Sequence, residues 1–385
     1  MRLEPVTGDD PRDVLRALRA AVLGAGPAVG LGLTAAPLPE DVPAGTAVVL
    51  TTSGSTGVPK SVALSRNALT AGALATAERI GAGSWLLALP AGYVAGVQVL
   101  VRALVAGRDP AILAGSFSPA AFAAAARGMA SSEGGQRVPT YTSLVPVQLQ
   151  RLLDAAGDDP DVADALRSFE AILIGGQALP DAVRERAAAA GARIVRTYGS
   201  TETSGGCVYD GVPLRDVDLA VVGGEVRIAG PVLADGYLGD PERTAEAFAR
   251  DADGRRWYRT GDEGLIEDGV LRIHGRIDNV IVSGGVNISL DRVERVVRGV
   301  PGLESAVVVG AADATWGEAS VIVAPREEVP PRSEAEQLTR AREAVAAVIG
   351  APARPARLVL VEEIPRLASG KPDREALRRL VAAPR

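Results

Sequence analysis

Apolar and polar positions alternate along the first half of the chain with two different periods. Apolar residues that recur every three or four positions predict amphipathic helices, and short continuous apolar runs predict buried strands. The predicted helices are 9–24, 67–80, 96–106, 119–127, 147–153 and 180–190. The predicted strands are 47–51, 85–89, 171–174 and 193–197. Strands that alternate with helices predict an α/β layered fold with a largely parallel sheet.

The pattern changes after Ser204. Short β-type runs separated by turns fill 217–275 and predict a small β-rich subdomain. From Asp278 onwards strands and helices mix again, which predicts a small α+β domain. Its predicted strands are 280–282, 305–309 and 357–361, and its predicted helices are 290–298 and 334–349. The expected organisation is a large α/β N-terminal domain over 1–277, which includes 217–275, and a small C-terminal domain over 278–385.

Composition excludes several classes of protein. The chain has 385 residues, of which 47% are hydrophobic and 23% charged, as is usual for a soluble globular protein. Its formal net charge of −6 offers no general attraction to nucleic acid or to anionic lipid. Any phosphate binding must therefore be local.

Cysteine content and the apolar stretches bear on location. The chain has one cysteine, Cys207, so no disulfide can form within it and a cytoplasmic location is expected. Early acidic residues together with Pro5 and Pro11 argue against a signal peptide. The apolar stretch 20–38 is broken by glycine and proline, so no stable membrane insertion is expected.

The strongest local motif is the segment 51–61, with the sequence TTSGSTGVPKS. Its glycines let backbone N–H groups approach an anion, its hydroxyls donate hydrogen bonds, and its lysine supplies positive charge. It is not a Walker A loop, because Pro59 rather than glycine precedes Lys60. A polar surface loop is the alternative. The phosphate-binding candidates are Thr52, Ser53, Gly54, Ser55, Thr56, Gly57 and Lys60.

Four further motifs follow in order. The segment 197–202 (TYGSTE) follows a predicted strand, where sheet ligands bind. Its Glu202 could hold Mg²⁺ as a hard oxygen ligand, although an exposed glutamate is more often just solvated. The segment 257–262 ends in Asp262, which is either a turn residue or a carboxylate for ribose hydroxyls. The last two motifs are 275–285, with its Gly284–Gly285 pair, and 369–374, with Lys371 in a Gly/Pro loop.

Together and in this order, the five motifs resemble those of the adenylate-forming superfamily, which includes acyl-CoA synthetases, peptide synthetase adenylation domains and luciferase-type enzymes. The resemblance spans about 48 to 374. It implies ATP as a substrate, Mg²⁺, CoA as co-substrate and a mobile C-terminal domain hinged at Asp278. Lys371, Glu202 and Arg276 would be catalytic, and Thr201 and Glu202 would hold Mg²⁺. The nucleotide-binding residues implied beyond the 51–61 loop are Gly176, Tyr198, Gly199, Ser200, Thr201, Asp262 and Arg276.

Two further segments, 143–153 and 204–214, look like those of short actinobacterial 2-succinylbenzoate–CoA ligases. This resemblance implies ligation of 2-succinylbenzoate to CoA through an acyl-adenylate, in menaquinone biosynthesis. Arg102 is a candidate for holding the second carboxylate, and a solvated helix residue is the alternative. Gly284 and Gly285 would leave room for the pantetheine arm of CoA. The implied acyl-substrate residues are Tyr93, Arg102, Ser143, Gly175, Gly199 and Gly205, with Gly176 beside them.

Three alternatives remain open at this point. The chain could be another small aryl- or acyl-acid CoA ligase, or it could load its adenylate onto a carrier protein. It could also be a non-catalytic acyl- or nucleotide-binding homologue. The intact set of Lys60, Glu202, Asp262, Arg276 and Lys371 counts against the last of these. A homodimer is expected on base rate alone, since two-fold homodimers are the commonest oligomers.

Overall fold

The fold is known from a computed structural model that describes 1–6, 10–32, 39–52, 59–113, 115–129, 131–329, 333–367 and 370–382. Contacts divide the chain into two compact units. The first unit comprises Met1–Ala220, Arg227–Thr260 and Asp268–Val270. The second unit comprises Val221–Val226, Gly261–Glu267 and Leu271–Arg385.

Helices and strands of the described residues are numbered in chain order. The helices are α1 (Pro11–Leu23), α2 (Arg66–Ile80), α3 (Val94–Val105), α4 (Pro119–Arg127), α5 (Pro146–Ala155), α6 (Pro160–Ser168), α7 (Asp181–Ala189), α8 (Pro241–Ala247), α9 (Leu290–Val297), α10 (Glu334–Val348) and α11 (Arg374–Ala382). The strands up to residue 213 are β1 (Leu3–Pro5), β2 (Ala28–Leu31), β3 (Thr46–Thr52), β4 (Lys60–Ser65), β5 (Ser84–Leu87), β6 (Ala111–Ile112), β7 (Ser132–Glu133), β8 (Gln136–Arg137), β9 (Thr140–Leu144), β10 (Ala171–Ile174), β11 (Ile194–Ser200), β12 (Gly205–Tyr209) and β13 (Val212–Pro213). The later strands are β14 (Asp218–Val222), β15 (Glu225–Ala229), β16 (Gly236–Tyr237), β17 (Phe248–Arg250), β18 (Arg256–Glu267), β19 (Val270–Arg276), β20 (Val280–Ser283), β21 (Val286–Ser289), β22 (Val307–Asp313), β23 (Gly317–Pro325) and β24 (Arg357–Val361).

Two sheets form the centre of the first unit. A seven-stranded sheet has the order β13-β12-β11-β10-β9-β5-β6, and the pairs from β6 to β11 are parallel. A five-stranded sheet has the order β1-β2-β3-β4-β16. A core that includes Phe122, Leu149, Phe169 and Ile172 covers one face of the larger sheet with α4 to α7. The prediction of an α/β fold with a largely parallel sheet is therefore confirmed.

Local sequence explains where the first unit's helices begin. Asp10, Ser65 and Asp159 each accept a hydrogen bond from a backbone N–H of the first turn of α1, α2 and α6. A helix leaves its first N–H groups without intrahelical partners, and such caps satisfy them. Proline at the first position of α1 and α6 has its φ preset for a helix.

The second unit is built around the sheet β21-β20-β23-β22, with β24 pairing parallel to β23. One face packs on α9 and α10 through Val293, Val297 and Val345. The other face packs on α11 through Leu377 and Val381. Helices on both faces of the sheet confirm the predicted small domain of mixed strands and helices; the mobility of that domain and its boundary at Asp278 stay predictions.

Some predicted boundaries were wrong. The strand predicted at 47–51 continues to Thr52, and β4, which was not predicted, begins at Lys60 inside the 51–61 motif, because Thr52 and Lys60 pair across an antiparallel hairpin. The strand predicted at 193–197 continues to Ser200. The helices α6, α8 and α11 were not predicted. In the part of the chain that the structure describes, helices are too short or too polar to cross a membrane.

Candidate active site

The parallel strands of the seven-stranded sheet end side by side. Leu144 of β9 pairs with Ile174 of β10, which pairs in turn with Arg196 of β11. Just beyond, the Gly175 N–H donates to the Leu144 carbonyl (3.2 Å), and Thr197 Oγ1 donates to the Ile174 carbonyl (3.3 Å). Ligands of α/β sheets bind at such carboxyl edges. The edge collects these predicted site residues: Ser143, Gly175, Gly176, Tyr198, Gly199, Ser200 and Thr201.

Close backbone approach explains the glycines at this edge. A Cβ on Gly175 would lie 2.4 Å from Thr197 Oγ1, and one on Gly199 would lie 2.2 Å from the Gly205 carbonyl oxygen. Gly205 has a φ of +106°, which side chains rarely adopt. Glycine is thus required for the packing of β11 against β12, and the roles of these residues in an acyl pocket stay predictions.

Gln98, a polar residue of helix α3, lies beside Gly205 in the same region. This residue was not among those predicted from the sequence. A Cβ on Gly205 would lie 2.9 Å from Gln98 Cγ. Gln98 is buried, its Nε2 donates to the Leu69 carbonyl (3.3 Å), and its Oε1 has no hydrogen-bond partner among the described residues. Tyr93 stands just before α3, and its carbonyl accepts from the Val97 N–H (2.9 Å). The only sequence signal for Gln98 was one amide within an apolar helix.

A buried ion pair joins the start of β4 to the 3₁₀ helix Thr201–Thr203, which directly follows β11. Lys60 Nζ donates to Glu202 Oε1, and Tyr237 Oη donates to the same oxygen (2.9 Å). The Lys60 ammonium also lies 3.4 Å from Tyr237 Oη and 5.0 Å from the centre of its ring. Two sequence-predicted residues therefore meet, and Tyr237, which nothing in the sequence distinguished, holds both of them.

Electrostatics favour the charged form of Glu202. Burial alone would raise its pKa, because a low-dielectric environment disfavours a carboxylate. The charge and the hydrogen bond of Lys60 outweigh that effect, so the pKa of Glu202 lies below its ordinary value. The carboxylate is therefore ionised at neutral pH and paired with the Lys60 ammonium.

The surroundings of Glu202 fit a magnesium ion held mainly by substrate. The described residues contain no group of three acidic, histidine or cysteine side chains that could hold a metal by themselves. Mg²⁺ in nucleotide sites usually takes only one or two carboxylates, and phosphates and waters complete its shell. One ionised carboxylate, that of Glu202, matches that requirement.

The predicted phosphate loop joins β3 to β4. Thr52 pairs with Lys60 across the hairpin, and Thr51 Oγ1 lies 2.9 Å from Ser61 Oγ. Thr52 Oγ1 is buried and has no hydrogen-bond partner among the described residues. A buried hydroxyl without a partner is costly, and a ligand oxygen could satisfy it. The other loop candidates lie outside the described residues: Ser53, Gly54, Ser55, Thr56 and Gly57.

Arg102 is buried on α3, so the alternative of a solvated helix residue is wrong. Its Nη2 donates to Tyr209 Oη (3.2 Å), and its guanidinium carbon lies 5.1 Å from the centre of the Trp85 ring. Tyr209 Oη in turn lies 2.9 Å from Thr76 Oγ1. Arg102 Nε has no hydrogen-bond partner, and no carboxylate lies within ion-pair distance of Arg102, within the described ranges. Within the described residues, the contacts of its guanidinium are with neutral groups, the Tyr209 hydroxyl and the Trp85 ring.

A second charged cluster lies in the second unit. Arg276 Nε and Nη2 donate to the two oxygens of Asp278 (both 3.0 Å), and Nη1 donates to Asp262 Oδ1 (3.2 Å). The hydrogen bonds from Arg276 hold the pKa of Asp278 below its ordinary value. Three predicted residues are brought together here, on the strands β18 and β19 and the turn that follows.

The remaining predicted residues lie on turns. Gly284 and Gly285 connect β20 to β21 with φ values of +56° and +80°. A Cβ on Gly284 would lie 2.7 Å from the Trp316 ring, whereas one on Gly285 would have nothing within 4 Å. Lys371 is in a turn where the Leu367 N–H donates to the Lys371 carbonyl (2.8 Å).

Comparison with known families agrees with these motifs. Residues 8–238 match the model of the AMP-binding enzyme family, and residues 292–371 match the model of the AMP-binding enzyme C-terminal domain. The first match alone covers more than half of the chain. The protein belongs to the AMP-binding enzyme family.

The chain is similar in sequence to two 2-succinylbenzoate–CoA ligases, one of them named as probable. The chain is 40% identical over 353 residues to a probable 2-succinylbenzoate–CoA ligase of Mycobacterium tuberculosis (strain CDC 1551 / Oshkosh), covering 89% of this chain and 86% of the relative. It is 30% identical over 366 residues to the 2-succinylbenzoate–CoA ligase of Geobacillus kaustophilus, covering 87% and 69%.

Solved structures show the same fold. Escherichia coli MenE with bound OSB-AMS matches with a TM-score of 0.71 and 28% identity, covering 91% of this chain and 72% of that one. The o-succinylbenzoate coenzyme A synthetase (MenE) of Bacillus subtilis, in complex with AMP, matches with a TM-score of 0.71 and 25% identity, covering 86% and 69%. The resemblance to adenylate-forming enzymes is thus confirmed.

Proposed function

We propose that the protein is an AMP-forming acid–CoA ligase that joins 2-succinylbenzoate to CoA through an acyl-adenylate. The products would be 2-succinylbenzoyl-CoA, AMP and pyrophosphate, in menaquinone biosynthesis. The observation that carries the proposal is the buried Lys60–Glu202–Tyr237 cluster at the carboxyl edge of the sheet, beside the hairpin that bears the phosphate loop. The ligase relatives support the choice of acid.

The first step activates a carboxylate, which is a poor acylating agent because its leaving group would be an oxide. A carboxylate oxygen attacks the α-phosphorus of ATP, and the bond from that phosphorus to pyrophosphate breaks. Negative charge accumulates on oxygen atoms as the anions meet. In our proposal Lys371 and the loop that ends at Lys60 neutralise this charge, which is electrostatic stabilisation of the transition state.

The proposed nucleotide- and metal-binding roles follow the resemblance to the adenylate-forming superfamily. Tyr198 would pack on adenine, Asp262 would accept hydrogen bonds from ribose hydroxyls, and Arg276 would hold Asp262 in place through their ion pair. Glu202 and Thr201 would hold Mg²⁺, which supplies positive charge to the phosphates. A carboxylate shared with Lys60 can exchange that partner for a metal without leaving its buried position.

The second step transfers the acyl group. The sulfur of CoA attacks the acyl carbon, a carbon–sulfur bond forms, the bond to AMP breaks, and the thiol proton leaves to solvent. We propose that Gly284 and Gly285 line the path of the thiol, with Asp278 as the hinge that brings them into use. Gly285 has the open surroundings that such a path needs.

Arg102 is our candidate for holding the carboxylate on the ring of the substrate. A buried guanidinium without a carboxylate partner is costly, and a substrate anion would compensate it. Gln98 is one turn earlier on the same helix and contacts Gly205. A cytoplasmic location and a homodimer remain predictions from the sequence.

The direct test measures pyrophosphate release with ATP and Mg²⁺ across a panel of acids, with and without CoA. The panel contains 2-succinylbenzoate, benzoate, fatty acids and amino acids. Release with 2-succinylbenzoate followed by CoA-dependent thioester is the expected result. Release only with another acid would change the proposed substrate and leave the proposed chemistry unchanged. No release with any acid would overturn the assignment as a ligase.

The role of Arg102 is tested with a matched pair of substrates. Arg102→Ala should raise KM for 2-succinylbenzoate about 10- to 100-fold, because a hydrogen bond to a charged group is lost. It should change KM little for 4-oxo-4-phenylbutanoate, which lacks the ring carboxylate. Arg127→Ala, at an exposed arginine of the same unit, is the control. Equal effects on both acids would show that Arg102 only supports the fold.

A further inference from the structure

Arg374 connects the Lys371 turn to the body of the second unit. It is the first residue of α11 and follows Lys371 by three positions. Its Nη2 donates to Glu294 Oε2 (2.8 Å) and lies 3.4 Å from Asp291 Oδ1, both on α9. Its Nη1 donates to the Val308 carbonyl on β22 (2.8 Å). One guanidinium therefore bonds to two elements at once.

The acceptor on α9 is itself fixed. The Glu294 side chain is only 9% exposed. Its Oε2 accepts from the Val308 N–H (3.0 Å), and its Oε1 pairs with Arg298 (2.8 Å), whose Nε donates to the Ala306 carbonyl (2.7 Å). A carboxylate with this many donors has little freedom to follow a displaced partner, so the position of Arg374 is defined by α9 and β22.

Asp291 extends the same network to the segment of Asp278. Its Oδ2 accepts from the Arg276 N–H (2.7 Å), and its Oδ1 accepts from Asn279 Nδ2 (2.8 Å). A Cβ on Gly275 would lie 2.6 Å from Asp291 Cβ, so glycine is needed for this approach. The residues on both sides of Asp278 thus share an acceptor with Arg374.

The turn around Lys371 depends on its two ends. Beyond the Leu367–Lys371 hydrogen bond, the Gly370 N–H donates to the Leu367 carbonyl and the Asp373 N–H donates to the Pro365 carbonyl (both 2.8 Å). The end that contains Asp373 continues directly into Arg374 and α11. Loss of the Arg374 bonds would release that end while the sheet and α9 stay in place.

We propose that Arg374, held by Glu294 and Asp291, is a positioning residue that sets the placement of Lys371 for adenylate formation. It acts through Lys371 and touches no substrate. The inference rests on the proposed function, because Lys371 must serve the first step for its position to affect rate. It predicts a selective defect, since our proposal gives Lys371 a role in the first step and none in thioester formation from a ready-made adenylate.

The test separates the two half-reactions. Arg374→Gln should slow acid-dependent ATP–pyrophosphate exchange about 10- to 100-fold, the range expected for small displacements of a catalytic group. It should leave the rate of thioester formation from supplied acyl-adenylate within about twofold. Arg374→Lys should recover part of the first rate, because it keeps the charge but not the planar fork that bonds to two acceptors. Equal slowing of both half-reactions would overturn the proposal.

A double-mutant cycle with Lys371→Ala adds a second criterion. Because Arg374 acts through Lys371, Arg374→Gln should change the exchange rate less than about twofold once Lys371 is absent. The control is Arg379→Gln on the same helix, at an exposed arginine paired with Glu375. The control should leave both half-reactions unchanged. Independent, multiplying effects of Arg374→Gln and Lys371→Ala would refute the proposal.

Hydrogen exchange tests the anchor without using activity. Arg374→Gln should speed exchange at the amides of Leu367, Gly370 and Asp373, while Ile322 in β23 keeps its protection. Unchanged exchange at the three turn amides would refute the inference even if the ligase assignment holds. Faster exchange there in a protein that adenylates no acid would support the anchor and refute only the ligase assignment. Should Arg374→Gln not fold, Arg374→Lys carries the same comparison.

Discussion

The two charged clusters of the molecule differ in how they are held. In the first unit, the Glu202 side chain is 3% exposed and that of Lys60 is 19% exposed. In the second unit, the side chains of Arg276 and Asp278 are 37% and 52% exposed. Strand ends and a 3₁₀ helix present the first pair, whereas the second stands on a strand and the turn that follows it.

This difference separates the energetic consequences of the two clusters. Removal of one partner from a buried ion pair leaves an uncompensated charge, so such pairs are tightly coupled to folding. Exposed pairs contribute little to stability and exchange their partners with water and ligands readily. The first cluster is therefore expected to be strongly coupled to folding, and the second is expected to contribute little to stability.

The largest expected effect concerns an exposed turn rather than the buried pair. Lys371→Ala should lower the rate of acid-dependent pyrophosphate release about 100- to 1,000-fold, because one preorganised charge is lost from the transition state. The free energy of unfolding should change by less than about 0.5 kcal/mol. Arg326→Ala, at an exposed arginine of the same unit, is the control for a lost surface charge. Normal adenylate formation by Lys371→Ala would contradict our role for this lysine.

The next largest effect concerns the buried pair, and its main readout is stability rather than reaction rate. Glu202→Ala should lower the free energy of unfolding by about 3 kcal/mol, because Lys60 keeps its charge in a mostly buried place. Asp278→Ala should lower it by at most about 1 kcal/mol. Urea unfolding at neutral pH measures both. Equal losses for the two variants would remove the distinction between the clusters.

Sequence patterns predicted the fold class better than the side-chain contacts. Hydrophobic periodicity is local, so it located β5, β10 and β11 of the seven-stranded sheet and the change of pattern after Ser204. The β3–β4 pairing was not predicted, because the residues between Thr52 and Lys60 are mostly glycine and hydroxyl residues, which are typical of loops. Partners far apart in the chain, such as Tyr237 for Glu202, carry no local signal.

The candidate site was predictable only in part for the same reason. The order of the motifs identified Lys60 and Glu202 as candidate site residues although 142 positions separate them. The structure pairs them. The bond from Arg374 to Glu294 spans 80 positions, and no spacing rule connects two such residues. Burial of Arg102 could not be predicted either, because an arginine in an apolar helix is compatible with a solvated or a buried side chain.

A smaller effect is expected at the glycine pair of the second unit. Gly285→Trp should leave pyrophosphate release without CoA unchanged and slow thioester formation about 10-fold or more, since the new side chain would fill the open space proposed for the thiol. Gly239→Trp, at another glycine with positive φ and nothing within 4 Å of its Cβ position, is the control. Full thioester formation by Gly285→Trp would refute this path.

The smallest effect is the pH dependence of the buried pair. The pKa of Glu202 lies below its ordinary value, so the folded state binds the proton more weakly than the unfolded state, whose glutamate pKa is about 4.3. The stabilisation is therefore fully present above that unfolded value and is lost as pH falls through the lowered folded pKa. Urea unfolding of the wild type and of Glu202→Gln, measured from neutral to acid pH, should give a difference in free energy that is constant above about pH 5 and shrinks below it. A difference that stays constant into acid would mean that Lys60 does not lower the pKa of Glu202, and the contrast between the two clusters would then rest on burial alone.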